Sequence, residues 1–160
     1  MLKITEEFLH FLWKNQSLIG ISLESEKESS IKVLDPGVHN NDSGPDFFNS
    51  KISIDGTIWA GNVEIHIKAS DWIKHGHHHD PAYDSIILHV VYYNDCTITR
   101  RNNHLVPTTL LRFPHILWEK YLALMKKENW IACQNRLHEI NPIHQAQWAS
   151  RLMIEKLSTK

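Results

Sequence analysis

The sequence predicts an α+β fold: a mixed central sheet flanked by helices, with further helices toward the carboxyl end. Three observations predict it. Two alternating runs meet at Asp55-Gly56, a two-residue hairpin signal. Residues 86–93 are apolar on both faces, as in a strand covered from both sides. Apolar residues at helical spacing mark both ends of the chain.

Each element follows from local chemistry. Thr5-Glu6-Glu7 ahead of Phe8, Leu9, Phe11, Leu12 and Trp13 reads as a helix start with acids in its first turn. Residues 24–30 are polar, a hairpin tip or loop. Residues 31–34 form a short strand stopped by Asp35-Pro36-Gly37, and a turn-rich segment runs from His39 to Pro45. Residues 51–54 and 57–59 flank the hairpin turn; the second strand continues past an expected bulge at Ala60-Gly61 to Lys68. There Val63, Ile65 and Ile67 face one side, and Glu64, His66 and Lys68 the other. Residues 70–83 are a loop or short helix. Turns at Asn94-Asp95 and Asn102-Asn103 precede a strand at 108–113. A helix over 115–127 carries Leu117, Trp118, Tyr121, Leu122 and Met125, and Asn141-Pro142 caps a last one bearing Trp148, Leu152 and Leu157. The order is α-β-β-β-(loop/α)-β-β-α-α. We divide it into a core over 1–113 and a helical extension over 114–160, the start of a longer carboxyl-terminal region.

Hydrophobic residues make up 42% and charged residues 22% of the 160, a balance that supports a buried core rather than disorder. A formal net charge of −1 excludes a simple polycationic coat for nucleic acid. Residues 1–80 carry seven Lys/Arg and twelve Asp/Glu, whereas residues 81–160 carry ten and six. That split suits a divalent cation on the acidic half and an anionic ligand on the basic half. No apolar run approaches the ~20 residues of a membrane-spanning helix, and the amino terminus is too acidic for a secretory signal. Cys96 and Cys133 can build neither a disulfide framework nor a four-thiolate zinc site, so a reducing cytoplasmic setting is expected. No phosphate-cradling glycine loop or Gly-x-Ser-x-Gly elbow occurs. Histidine is the anomaly, at 12 of 160 residues, with four of them between positions 75 and 79.

Asp46 stands at the mouth of the first hairpin strand, and Glu64, His66 and Lys68 share one face of its partner. Paired strands lie about 5 Å apart, so two such carboxylates can share a cation. Mg²⁺ or Mn²⁺ prefers oxygen-rich sites of this kind, and the Ile65 carbonyl offers a further ligand. His66 or Lys68, following on the same face, would steer water or neutralise charge in the transition state. The plain alternatives are a turn-forming Asp46 and a solvent-facing polar stripe on the strand. Trp59 and Trp72 argue that the stripe is covered.

His75, His77, His78, His79 and Asp80 suggest a second chemistry, since imidazole with carboxylate suits Zn²⁺ and similar ions. Side chains of adjacent residues diverge, so at most two of this run can share a centre; the productive pairing is His75 or His77 with His66 or Glu64. The same loop could place an imidazole as a general acid near a scissile phosphate, or be a polar turn around Gly76. His89, alone in an apolar strand, reads first as a hydrogen-bonded core residue, and Tyr83 as packing under the sheet. Arg100, Arg101 and Arg112, with Lys126 and Lys127, are candidates for phosphate contact or ordinary solvated surface.

Pro45-Asp46, with Glu64-Ile65-His66 eighteen positions later, resembles the PD-(D/E)xK nuclease motif. That resemblance implies a restriction-endonuclease-like core, α-β-β-β-α-β, over residues 4–93. It also implies Asp46 and Glu64 as metal-binding acids and a nucleic-acid substrate. The chain departs from the motif at His66, where lysine is expected; Lys68 can supply the amine from the same face. A longer string is similar to an uncharacterised bacterial domain-of-unknown-function family. It comprises Gly44-Pro45-Asp46-Phe47, Val63-Glu64-Ile65-His66, Ser70-Asp71-Trp72, His75-Gly76-His77-His78, Asp80-Pro81-Ala82-Tyr83 and Leu88-His89-Val90-Val91. Asp71, Asp80, Tyr83 and His89 enter as supporting residues. Three functions follow in order: a metal-dependent phosphodiesterase, a non-catalytic nuclease-like domain binding nucleic acid or protein, and a histidine-rich transition-metal protein.

Overall fold

The computed structural model describes residues 3–16, 21–24, 29–126 and 138–158. Cys133 and Lys127 lie outside the described residues. The chain divides into two compact units, residues 1–119 and 120–160.

The first unit is built on a seven-stranded mixed sheet. Helix α1 (Glu6–Lys14) is capped by Thr5, whose hydroxyl accepts from the Phe8 amide at 3.4 Å, with Glu6 and Glu7 in the first turn. Its buried stripe is Phe8, Leu9, Leu12 and Trp13. Strands β1 (Ser22–Glu24), β2 (Ile31–Asp35), β3 (Val38–His39), β4 (Phe47–Ile54) and β5 (Thr57–Lys68) follow. Next come helix α2 (Asp71–Lys74), two single 3₁₀ turns at His77–His79 and Pro81–Tyr83, strands β6 (Ile86–Tyr93) and β7 (Thr108–Arg112), and helix α3 (His115–Met125). The order across the sheet is β1-β7-β6-β5-β4-β2, and β3 pairs with the other end of β4. β2, β4 and β5 form an antiparallel meander; β6 then runs parallel to β5, and β7 parallel to β6. β1 runs up to the loop expected from residue 24, and β3 adds a short strand at the start of the expected turn-rich segment.

The Asp55-Gly56 hairpin forms as its chemistry requires, both residues taking positive φ at 50° and 84°. The expected bulge does not fall on Ala60-Gly61. Phe47 pairs with Val63 and Ser50 with Gly61, so the extra residue lies in β4, where Asn49 adopts φ 58°. Gly61 has a different reason: a Cβ there would lie 2.9 Å from the Ser85 carbonyl and strike Ile87. At Gly37, φ +83°, a Cβ would meet Ser50 Oγ at 2.6 Å; the tight Pro36-Gly37 turn carries the chain from β2 to β3 along β4.

The core holds Trp13, Trp72, Phe8, Phe47, Val63 and Ile65 of β5, and Ile86, Leu88, Val90 and Val91 of β6, each 1% exposed or less. Trp13 Nε1 donates to the Pro36 carbonyl at 3.0 Å, and Trp72 Nε1 to the Thr99 carbonyl at 3.1 Å. β5 divides sharply: Thr57 to Ala60 are exposed, while Val63 to His66 are buried. Trp59, expected to cover the polar face, is 51% exposed; only Trp72 does so.

In the second unit, Asn141 Oδ1 accepts from the Ile143 amide at 2.9 Å and opens helix α4 (Pro142–Ser158). Among the described residues no helix is long and apolar enough to cross a membrane.

Candidate metal centre

Strand pairing brings the first two site residues together. Phe47 opposite Val63 places Asp46 beside Glu64. Their side chains interlock through backbone: Glu64 Oε2 accepts from the Asp46 amide at 3.1 Å, and Asp46 Oδ2 from the Ile65 amide at 2.8 Å. Ile65, expected as a carbonyl ligand, contributes its amide in these contacts. His10 of α1 completes the arrangement, with Nε2 3.2 Å from Asp46 Oδ2.

The histidines converge from three elements. β5 and β6 pair in parallel with Glu64 beside His89, so His66 and His89 share a face. His66 Nδ1 meets His89 Nε2 at 2.8 Å. α2 ends at Lys74, and Gly76, at φ +79°, reverses the chain into the following 3₁₀ turn. That left-handed step lets His75 and His77, two apart, both turn toward His66. His75 Nδ1 lies 3.2 Å from His66 Nε2, and the His66 ring stands 5.0 Å from His75 and 5.3 Å from His77, centroid to centroid. Candidate donor atoms of His66, His75 and His77 all lie within 4.8 Å of one another, the pattern of a group that can hold a metal ion. Glu64 Oε1 adjoins them, 3.4 Å from His66 Nε2 and 3.3 Å from His77 Nε2. The rings of His78 and His79 lie against each other, tilted by 44°, and stay outside the cluster.

Burial decides the electrostatics. Glu64 is pushed up to about 9, first by desolvation and then by the Asp46 charge. His66 is driven down to about 2 and His89 to about 3, again by desolvation first and then by neighbouring imidazoles. The 3.4 Å approach of Glu64 to His66 is therefore a contact between neutral groups at neutral pH, not an ion pair. Burial lowers His77 as well. At His10, desolvation is outweighed by the hydrogen bond and charge of Asp46, and its pKa is raised.

Tyr83 stacks on His77 at 3.8 Å, and its phenol is raised by burial, then by the Glu64 and Asp46 charges. Asp80 caps the second 3₁₀ turn through the Ala82 amide at 2.9 Å. Asp71 accepts from the Lys68 amide at 3.1 Å and so ties the end of β5 to α2. An open cleft of about 380 Å³ is lined by Asp46, Glu64, His66, His75, His77 and Tyr83, among others. A second, of about 710 Å³, shares Glu6 and His75 with it and is rimmed by Lys3, Lys68 and Lys74. Lys68 thus faces solvent in the adjoining cleft.

Three of the expected phosphate contacts are engaged elsewhere. Arg100 donates to the Leu105 and Ile86 carbonyls, at 3.4 and 2.5 Å. Arg101 pairs with Asp84 at 2.7 Å and Arg112 with Glu24 at 2.9 Å. None of the three lines either cleft. The sequence reading missed Glu6 and His10. Their i, i+4 spacing on the flank of an apolar stripe was the available signal, because it puts both on one edge of α1.

No curated protein and no solved structure matches the chain significantly. A family model described as "Protein of unknown function (DUF2851)" matches residues 6–160, and the chain belongs to that family.

Proposed function

We propose that the protein is a metal-dependent phosphodiesterase of the PD-(D/E)xK type acting on nucleic acid. The observation that carries this reading is the interlocked pair Asp46 and Glu64, on paired strands beside a group of imidazoles. The mixed α+β fold is compatible with it: with the short strands β1 and β3 set aside, α1, the β2-β4-β5 meander, α2 and parallel β6 come in the order α-β-β-β-α-β that the resemblance implies.

Glu64 and the adjoining imidazoles are the residues to hold a divalent cation. When bound, such an ion polarises a phosphoryl oxygen and makes water a nucleophile near neutral pH. His66 cannot replace the motif's lysine as a positive charge, since burial keeps it neutral. Lys68, with Lys74 and Lys3 on the adjoining rim, supplies positive charge for the phosphate backbone. Asp46 holds the His10 imidazole, whose raised pKa suits proton donation to a leaving oxygen.

Plasmid nicking in Mg²⁺, Mn²⁺ or Zn²⁺ tests the reading. Asp46→Ala and Glu64→Ala should each lower the rate by roughly 10²–10³, the loss typical of removing one group that stabilises developing charge. If both variants nick as fast as wild type, the assignment fails. The neutral His66 favours a second reading, a nuclease-like domain that binds nucleic acid without turnover. It predicts salt-sensitive binding and no metal-dependent product.

A further inference from the structure

We infer that His66, His75 and His77, with Glu64 beside two of them, form a three-imidazole site for a nitrogen-seeking transition metal, Zn²⁺ by preference, rather than a Mg²⁺ site. Four features of the geometry lead there.

The first is edge length. Metal–nitrogen and metal–oxygen bonds of about 2.0–2.1 Å in a tetrahedron set neighbouring ligand atoms about 3.3–3.4 Å apart. An octahedral ion at the same bond length needs about 2.9 Å between neighbours. Three contacts here fall at 3.2, 3.3 and 3.4 Å, nearer the tetrahedral spacing: His75 Nδ1 to His66 Nε2, His77 Nε2 to Glu64 Oε1, and His66 Nε2 to Glu64 Oε1; the three imidazole donors lie within 4.8 Å of one another and would draw together on an ion.

The second is an unspent donor. His77 is 9% exposed, and its Nε2 has no hydrogen-bond partner although Glu64 Oε1 lies 3.3 Å away. A buried polar nitrogen left this way is costly unless something else satisfies it, and a metal bond does so.

The third is the outer shell. His89 takes the other nitrogen of His66 at 2.8 Å, which fixes the ring and leaves Nε2 for the metal. His89 is thus a positioning residue, behind a ligand rather than on the metal.

The fourth is donor chemistry. Three imidazoles suit Zn²⁺ and its neighbours in the first transition row, while Mg²⁺ selects oxygen and keeps its waters. His75, the exposed member, leaves the metal an entry path.

This site stands apart from the phosphodiesterase reading, since metal can be held with or without cleavage. The test uses the whole chain, stripped with chelator and reloaded. After dialysis against metal-free buffer containing millimolar Mg²⁺, elemental analysis should find one Zn²⁺ per chain. Co²⁺ should give the intense visible bands of a tetrahedral ion rather than the weak ones of an octahedral ion. His75→Ala, at an exposed position, should weaken Zn²⁺ binding at least 100-fold. His89→Ala should weaken it about 10–100-fold, the cost typical of losing an outer-shell partner. His79→Ala, in the same 3₁₀ turn as His77 but outside the cluster, should change nothing. Zn²⁺ lost to Mg²⁺, an octahedral Co²⁺ spectrum, or a His75→Ala variant that retains Zn²⁺ like wild type would overturn the proposal. Nicking activity, present or absent, leaves it unaffected.

Discussion

The two halves of β5 carry opposite chemistry. Thr57-Ile58-Trp59-Ala60 is exposed, with Ile58 at 65% and Trp59 at 51%, whereas Glu64 and His66 are 4% and 2% exposed. Residue polarity alone would assign them the other way round. What differs is the neighbours. The first half pairs only with β4, while from Asn62 onward β6 joins on the second side and Trp72, Tyr83 and the histidine turn lie near. An apolar residue left outside loses little. A carboxyl and an imidazole taken inside cost several kcal/mol unless other groups satisfy them. The contrast marks the polar half as the part of the strand whose buried groups need partners to offset their desolvation.

That contrast can be broken from the buried side first. Trp72→Ala should lower unfolding free energy by about 3–5 kcal/mol, because a fully buried indole leaves a large cavity. Trp59→Ala, in the exposed half, should stay within about 0.5 kcal/mol. Denaturant melts of the two variants decide it; similar losses would mean that β5 is not divided as described. Next comes Gly61→Ala, at the junction of the halves. Its methyl meets Ser85 and Ile87, and overpacking of this kind should cost about 1–3 kcal/mol.

The smallest effect is a slope. In the metal-free protein Glu64 binds its proton more tightly folded than unfolded, with a folded pKa of about 9. Its contribution to stability is present at low pH and falls as pH rises from about 4.5 to 9, by at most about 1.4 kcal/mol per pH unit. His66 and His89 act in the opposite sense: lowered to about 2 and about 3, they add stability above the ordinary imidazole range and lose it as pH falls from about 6.5. Stability should therefore decline on both sides of a maximum near neutral pH. Glu64→Gln should flatten the alkaline side and steepen the acid side above about pH 4.5, and thermal melts of chelated protein across pH would show it. An unchanged alkaline slope in the variant would mean that Glu64 is ionised when buried.

Much of this was legible in the chain, for stated reasons. Asp55-Gly56 can adopt the positive φ values of its turn almost regardless of context, so the hairpin and its two strands followed. Apolar runs on both faces marked β6 as central, and the register of one hairpin sufficed to set Asp46 against Glu64. The arginines were misjudged because a sequence shows charge but not partners; Asp84 and Glu24 reach Arg101 and Arg112 only in the fold. His10 went unnoticed because its significance depends on α1 lying against β5.

The sequence by itself determined the periodicities, the turns and the unusual supply of histidine, since each of these is a property of neighbours along the chain. The sequence paired His75 or His77 with His66; the tertiary structure decided that both reach it and that His89 and His10 join from other elements. His78 and His79 are as near His77 in sequence as residues can be, yet they face elsewhere, while His66, His89 and His10 come from three separate elements. The physical reason is that backbone direction at Gly76 and parallel pairing of β5 with β6 set where each ring points, and those are facts of assembly rather than composition.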